Sequence, residues 1–368
     1  MLARILQRRY AVEIVGPILG NAVWDPLAKL EGVEYKFVKV HGKLKPYWRL
    51  AELPSKIAGN VIYASKPLLT SFGVGLFKKY LGGSPVVLDV DDWQMGFMKE
   101  TWRDLSVAHR FMFLAYSALL PCEPSSYWNN RIGEELARFA DDITVSSSFL
   151  QRKFGGEIVW HAVDTDAFDP RKFDKASCRQ MYGIEKDKQV VMFCGTPAQY
   201  KGLRELVEAV GLIHDKKVLL SVVGLDQRKH RQNLEKFGRQ MLGNRFRPFE
   251  LQPYRRVPEL LAMADVIAIP QRKSFATVGQ VPTKVFDAMA MAKPIVATAV
   301  SDLPEILDGC GWIVEPGNTE QLAETIRHAL RAREEAKEKG WKARRKCVEE
   351  YSLSSMEKVL VKVFAKYE

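Results

Sequence analysis

Cysteine is scarce in this chain. Its five thiols, Cys122, Cys178, Cys194, Cys310 and Cys347, lie far apart, and no two have CxxC spacing. That excludes a zinc knuckle and a dithiol redox pair. The odd count fits reduced thiols in a cytosolic compartment. The histidines form no cluster, so no metal site is expected. Hydrophobic runs are short. The greasiest, Phe111 to Leu120, falls well below the roughly 20 residues a helix needs to span a bilayer. It reads as a buried helix, with a monotopic membrane contact as the alternative. Met1 to Tyr10 reads as an amphipathic helix with too short an apolar part for a secretory signal. No GxGxxG follows an early strand, which disfavours a dinucleotide-dependent dehydrogenase.

The chain has 368 residues, 47% hydrophobic and 27% charged, enough for two ordinary cores. Its 55 basic and 44 acidic side chains give a net charge of +11. Such a balance suits a nucleic acid, an anionic membrane surface or a phosphorylated small molecule. The apolar segments between the charges resemble an enzyme core, which disfavours nucleic acid. Lys39, Lys43, Lys45 and Arg49 lie close to Tyr47 and Trp48. This basic, aromatic stretch reads as an exposed loop or as a contact with anionic lipid.

Strand-like and helix-like runs alternate, the rhythm of a doubly wound α/β protein. Val86 to Val90 is nearly all apolar and suits a parallel strand covered on both faces. Helices are expected at Thr101 to Leu120 and Tyr127 to Phe139. Asp164 to Lys188 is polar and reads as a linker with a short helix. Beyond it, strands are expected at 189–194, 218–223, 246–251, 266–269, 295–298 and 312–314. Helices are expected at 202–211, 230–241, 257–263, 283–291 and 319–336. The expected organisation is a first domain over residues 1–165, a linker over 166–188, a second domain over 189–350 and a final helix over 351–368. Two such domains would face each other across a cleft lined by the carboxyl ends of their strands.

Four segments suggest chemistry. In Phe193 to Gly202, FCGTPAQYKG, Gly195 permits close approach of a ligand, and Lys201 can set a point charge against a diphosphate. In Ser274 to Ala290, Gly279 permits a tight approach, and Pro282 and Thr283 stand at a helix start whose free amides would bind an anion. Lys284 can pair with phosphate or with Asp287. The Asp287 carboxylate, in an apolar run, can accept the hydroxyls of a ribose. In Ala297 to Gly311, Glu305 reads as a helix cap or a ligand. In LDVDDW, Asp89, Asp91 and Asp92 end a central strand, where one could act as general base to an acceptor hydroxyl. Asp89 and Asp91 could also share one face and reach one ion. Trp93 reads as a sugar platform or as core. His161 reads as a cleft residue or a structural one.

These segments resemble the GT-B glycosyltransferases, in particular the large retaining family called family 4. FCGTPAQYKG is similar to its glycine loop and pyrophosphate lysine, and SVVG, with Gly224, to its next strand and loop. VPTKVFDAMAMAKPIVAT is the most specific match, and DITVSSSFLQRKFG and AVDTDAFDP extend it into the first half. The resemblance implies an α/β fold of two facing Rossmann-like domains, with a C-terminal helix crossing back to the first. It implies a nucleotide-sugar donor bound by Gly195, Thr196, Lys201, Gly224, Gly279, Pro282, Thr283, Lys284 and Asp287. Lys201 would be catalytic. The catalytic reading of Asp89, Asp91 and Asp92 rests on their own place at the strand end, where the family often has a histidine.

Three departures accompany it. Gly279 stands where the family has a sugar-binding glutamate, and Asp287 where it has the ribose-binding one. Thr196 stands where it has an arginine, for which Arg272 or Lys273 could substitute. The family's first strand has no counterpart at the front, and the usual histidine near the Asp89 to Asp92 cluster is missing. The expected activity is retaining transfer of a hexose-type sugar to a hydroxyl acceptor, a lipid-linked or polysaccharide precursor, without metal or cofactor. The expected location is cytoplasmic, with peripheral contact to an anionic membrane. The alternative is a non-catalytic or regulatory protein of the same fold.

Overall fold

A computed structural model describes every residue except 21–29, 41–46, 104 and 226–228, and the backbone alone of 229–231. The chain forms two units. One comprises Met1–Trp160, Val278–Gln280 and Met356–Glu368; the other comprises His161–Thr277 and Val281–Ser355.

In the first unit, β1 (Glu13–Ile18) and β2 (Glu34–Lys39) pair in parallel as a two-stranded sheet. A second parallel sheet has the order β3 (Ile62–Ser65), β4 (Val86–Val90), β5 (Asp142–Val145), β6 (Glu157–Ile158). All of β4 is buried, as its unbroken apolar sequence requires for a strand covered on both faces. The last residues of the chain complete this unit. Phe364 packs its ring 5.3 Å from that of Tyr63, Tyr367 bonds Asp142, and Tyr10 donates to Glu368 at 2.7 Å.

The second unit holds six parallel strands: β7 (Gln189–Cys194), β8 (Val218–Leu225), β9 (Phe246–Glu250), β10 (Val266–Ile269), β11 (Ile295–Thr298) and β12 (Trp312–Val314). Their order is β12-β11-β10-β7-β8-β9. The chain starts in the middle at β7, runs outward to β9, and returns to the other side of β7 at β10. The order therefore reverses between β7 and β10, and open parallel sheets bind ligands beyond the carboxyl ends of the strands at such a point.

Several expectations are corrected. The helix expected from Thr101 to Leu120 is two helices, Gln94–Arg103 and Val107–Leu119. Ser106 starts the second by accepting a bond from the His109 amide. The run Phe111 to Leu120 is not buried: Phe111 and Leu119 are 71% and 79% exposed. The helix is fastened along a narrow strip at Ser117, whose hydroxyl accepts from the Tyr127 amide and whose carbonyl accepts from the Ser126 hydroxyl.

Residues 164–188 are no free linker but part of the second unit. There Arg179, buried on the helix Lys175–Met181, donates to the Met263 carbonyl and pairs with Asp265 at 2.6 Å. Its polarity is satisfied by fixed partners, which is the condition for burying it. The helix expected over 319–336 stops at Arg331, and a second runs Arg333–Glu350. The short strand β6 was not foreseen. Among the described residues, no helix is long and apolar enough to cross a membrane.

Candidate active site

The site is built where the sheet order reverses. After β7 the chain turns through Gly195, at φ +136°. Gly224, at φ +106°, has no side chain because a Cβ there would meet the Gly195 carbonyl oxygen at 2.6 Å. The ends of β7 and β8 thus pack backbone against backbone, and the turn keeps a fixed path. Thr196 and Lys201 close it, with the Lys201 ammonium donating to the Thr196 carbonyl at 2.7 Å.

Lys284 opens the short helix Lys284–Ala290. Its ammonium lies 3.6 Å from the centre of the Phe193 ring and against Gly195, where an added Cβ would meet it at 3.2 Å. Burial pushes the Lys284 amine well below its usual range, and the positive charge of Lys201 pushes it further. Two lysines thus compete for charge at the end of β7. Like charges so placed oppose each other until an anion joins them.

Asp287 follows Lys284 on the same helix face. It is buried, and Oδ1 accepts from the Tyr254 hydroxyl at 2.8 Å. Burial raises its carboxyl to about 7, against the opposing effects of the Tyr254 bond and of Lys284. Beneath it, burial pushes the Cys194 thiol up to about 12, with Asp287 adding to the rise. Tyr254 was not foreseen. It lies 33 residues from Asp287 in sequence, and no local pattern joins them.

The structure therefore brings together Gly195, Thr196, Lys201, Gly224, Lys284 and Asp287. Pro282 and Thr283 start the helix: the Pro282 carbonyl takes the Val285 amide and that of Thr283 takes those of Phe286 and Asp287, so the amides of Thr283 and Lys284 stand ahead of the first helical bond. The Arg272 guanidinium is bonded to Glu205, and its amide donates to the carbonyl of Tyr200, next to Lys201. Glu305 caps nothing; its short helix, Leu303–Ile306, starts at Asp302 without a side-chain capping bond. Gly279 belongs to the first unit, where a Cβ would lie 2.9 Å from the Trp93 Cβ and its carbonyl accepts from the Ser147 hydroxyl.

The acidic cluster of the first unit is split. Asp89 is buried and points along the sheet, where its Oδ1 accepts from Thr144 at 2.7 Å and from Tyr63 at 3.3 Å. Burial raises its carboxyl to about 7. Asp91 and Asp92 are half-buried and share the Lys66 ammonium at 3.2 and 3.3 Å, and Asp92 also accepts from Gln280 at 2.8 Å. The idea of one ion shared by Asp89 and Asp91 is not supported: among the described residues, no group of three His, Cys, Asp or Glu could hold a metal. Trp93 is core, stacked on Phe149 at 5.1 Å and donating to Glu134. His161 is the first residue of the second unit.

The two raised carboxyls make a pH prediction. The folded protein keeps these protons up to about pH 7, whereas the unfolded chain loses them near pH 4. Their contribution therefore favours the fold at low pH and is lost as pH rises through 7. The thermal midpoint should fall less between pH 5.5 and 8 in Asp287→Asn than in the unaltered protein. Equal slopes would show that Asp287 is not protonated in the fold.

Residues 188–332 match the model of a family described as glycosyl transferases group 1. The D-inositol 3-phosphate glycosyltransferase of Mycobacteroides abscessus is 31% identical over 182 residues, 47% of this chain and 39% of that protein. The alpha-maltose-1-phosphate synthase of Mycolicibacterium smegmatis is 25% identical over 223 residues, 57% of this chain and 56% of that protein. The chain thus covers 39% to 56% of the length of these curated relatives. Among solved structures, Anabaena Alr3699/HepE in complex with UDP-glucose superimposes with a TM-score of 0.77 at 18% identity, covering 99% of this chain and 94% of that one. At that identity the likeness establishes the fold, which is GT-B.

Proposed function

We propose, from the match of residues 188–332 to the family described as glycosyl transferases group 1, that this protein transfers a sugar from a nucleotide diphosphate donor to an acceptor hydroxyl. The observation that carries this reading is the pair of lysines, Lys201 and Lys284, held against one glycine turn where the sheet order reverses. A diphosphate there would relieve their mutual repulsion and be stabilised as it leaves, in a site already organised for negative charge. Asp287 would hold the ribose. It is already oriented by Tyr254, and two hydroxyl donors would favour its ionised form.

The finer features rest on chemistry alone. A leaving diphosphate held by two cations can take the acceptor proton itself. No protein nucleophile is then required, and attack from the same face retains the anomeric configuration. The lysines supply the positive charge that a metal would otherwise bring, so transfer proceeds without metal or cofactor, and the nucleotide sugar is a co-substrate. On the acceptor side, Asp91 and Asp92 are the half-buried members of their cluster and can meet a hydroxyl, while Asp89 is buried. The sugar is of hexose type, and the acceptor is a lipid-linked or polysaccharide precursor at the cytoplasmic face of a membrane. A second reading, a protein of this fold without turnover, is favoured by Gly279 in the position of an acidic sugar ligand.

Thermal denaturation with UDP, GDP, ADP and their sugar conjugates tests the donor site. One nucleotide diphosphate should raise the midpoint by several degrees, since a ligand at 100 times its Kd stabilises by about 2.7 kcal/mol. No shift with any of them would remove the proposed activity. A shift without sugar transfer or hydrolysis would favour the second reading.

A further inference from the structure

The helix Val107–Leu119 turns its apolar side outward. At 100° per residue, Val107, Phe111, Met112, Tyr116 and Leu119 fall within one half of its circumference, joined by Ala108, Ala115 and Ala118. That half carries no charge. The five large side chains are 50% to 79% exposed. Scattered exposed apolar residues need no explanation, but a contiguous strip of this kind marks a contact surface.

A second element meets it. Tyr47 donates its hydroxyl to Glu123, just beyond the end of the helix, at 2.7 Å, and Tyr116 lies near enough to affect the Tyr47 phenol. Next to Tyr47 stands Trp48, 71% exposed. The Arg49 guanidinium returns to the Lys39 carbonyl at 3.0 Å, bringing the exposed Lys39 to the same edge. The apolar helix and the basic, aromatic turn, separate in sequence, thus form one surface of the first unit. Lys43 and Lys45 lie outside the described residues.

We propose that this surface docks on an anionic lipid bilayer, with the helix lying in the interfacial plane. Charge selects this occupant. No carboxylate occurs from Leu105 to Cys122, whereas the exposed Lys39 stands at the edge of this surface, and the whole chain carries +11. The shape agrees: the strip is one convex side of a helix. Trp48 and Tyr116 supply rings with an apolar body and a polar edge, which settle at headgroup depth. The inference requires nothing of the donor site, so its failure would leave the proposed sugar transfer standing.

Vesicle flotation of the full chain without nucleotide tests it. The protein should rise with vesicles of phosphatidylcholine and phosphatidylglycerol and much less with phosphatidylcholine alone. Phe111→Ser combined with Leu119→Ser should lower the bound fraction about tenfold or more. Tyr80→Ser combined with Leu81→Ser, exposed on a different helix, should leave it unchanged. Circular dichroism confirms that each variant is folded. The proposal is overturned if the unaltered protein fails to float, if the Phe111/Leu119 variant floats equally well, or if lipid-free sedimentation shows a dimer that this variant dissociates. In that last case the occupant is a second copy of the chain.

Discussion

Replacing Lys201 with Ala should lower the turnover number about 10²- to 10³-fold and weaken donor binding much less. That is the usual magnitude when one preorganised charge is removed from a developing anion. The asymmetry follows from the arrangement of the site. Lys284 remains against Gly195, so a ground-state diphosphate keeps one of its two cations. The ribose keeps Asp287, whose orientation depends on Tyr254 and not on Lys201. What disappears is the charge that counts most when the diphosphate leaves. Lys201→Arg should recover part of the rate, because a planar guanidinium restores charge but not the compact ammonium that reaches the Thr196 carbonyl. Steady-state kinetics with the donor found by thermal denaturation would measure both variants. Undiminished turnover in Lys201→Ala would remove the residue from the mechanism.

Gly279→Glu should destabilise the first unit by about 3 kcal/mol or more without creating a sugar ligand. The resemblance drawn from the sequence suggests this substitution, since it implies an acidic residue at position 279. The structure argues against it. The first side-chain carbon would lie 2.9 Å from the Trp93 Cβ and 3.2 Å from the Phe149 ring, inside normal contact distance. Both neighbours belong to a packed cluster and cannot retreat freely. A carboxylate there would also enter surroundings that already contain Asp92, bonded to the adjacent Gln280. Denaturant melts would give the loss in stability. A variant as stable as the parent, with tighter donor binding, would return position 279 to the donor site.

The donor-side strands were legible because each is a short apolar run with clear punctuation. Val266–Ile269 lies between Asp265 and Pro270, and its buried position admits few alternatives. The final helix was legible from its apolar period. Other features depend on partners that a sequence does not disclose. A glycine reads equally well as room for a ligand or room for a neighbour, and at 279 the neighbour is Trp93. The polar stretch around Arg179 reads as a linker until Asp265 and the Met263 carbonyl are seen to receive it. Composition likewise favours burying Phe111 to Leu120. Nothing local reveals that the other side of that helix, at Ser117, is the side held down.

The first unit cannot be finished when its own strands have been made. Residues 356–368 supply Phe364 against Tyr63 and Tyr367 against Asp142, and they are made only after the whole second unit. Synthesis order and folding order therefore part company. The six-stranded unit has its whole sequence available earlier, while the first unit must wait, incompletely covered, for residues 356–368. During that interval its unfinished sheet is the part of the nascent protein most in need of protection by a chaperone.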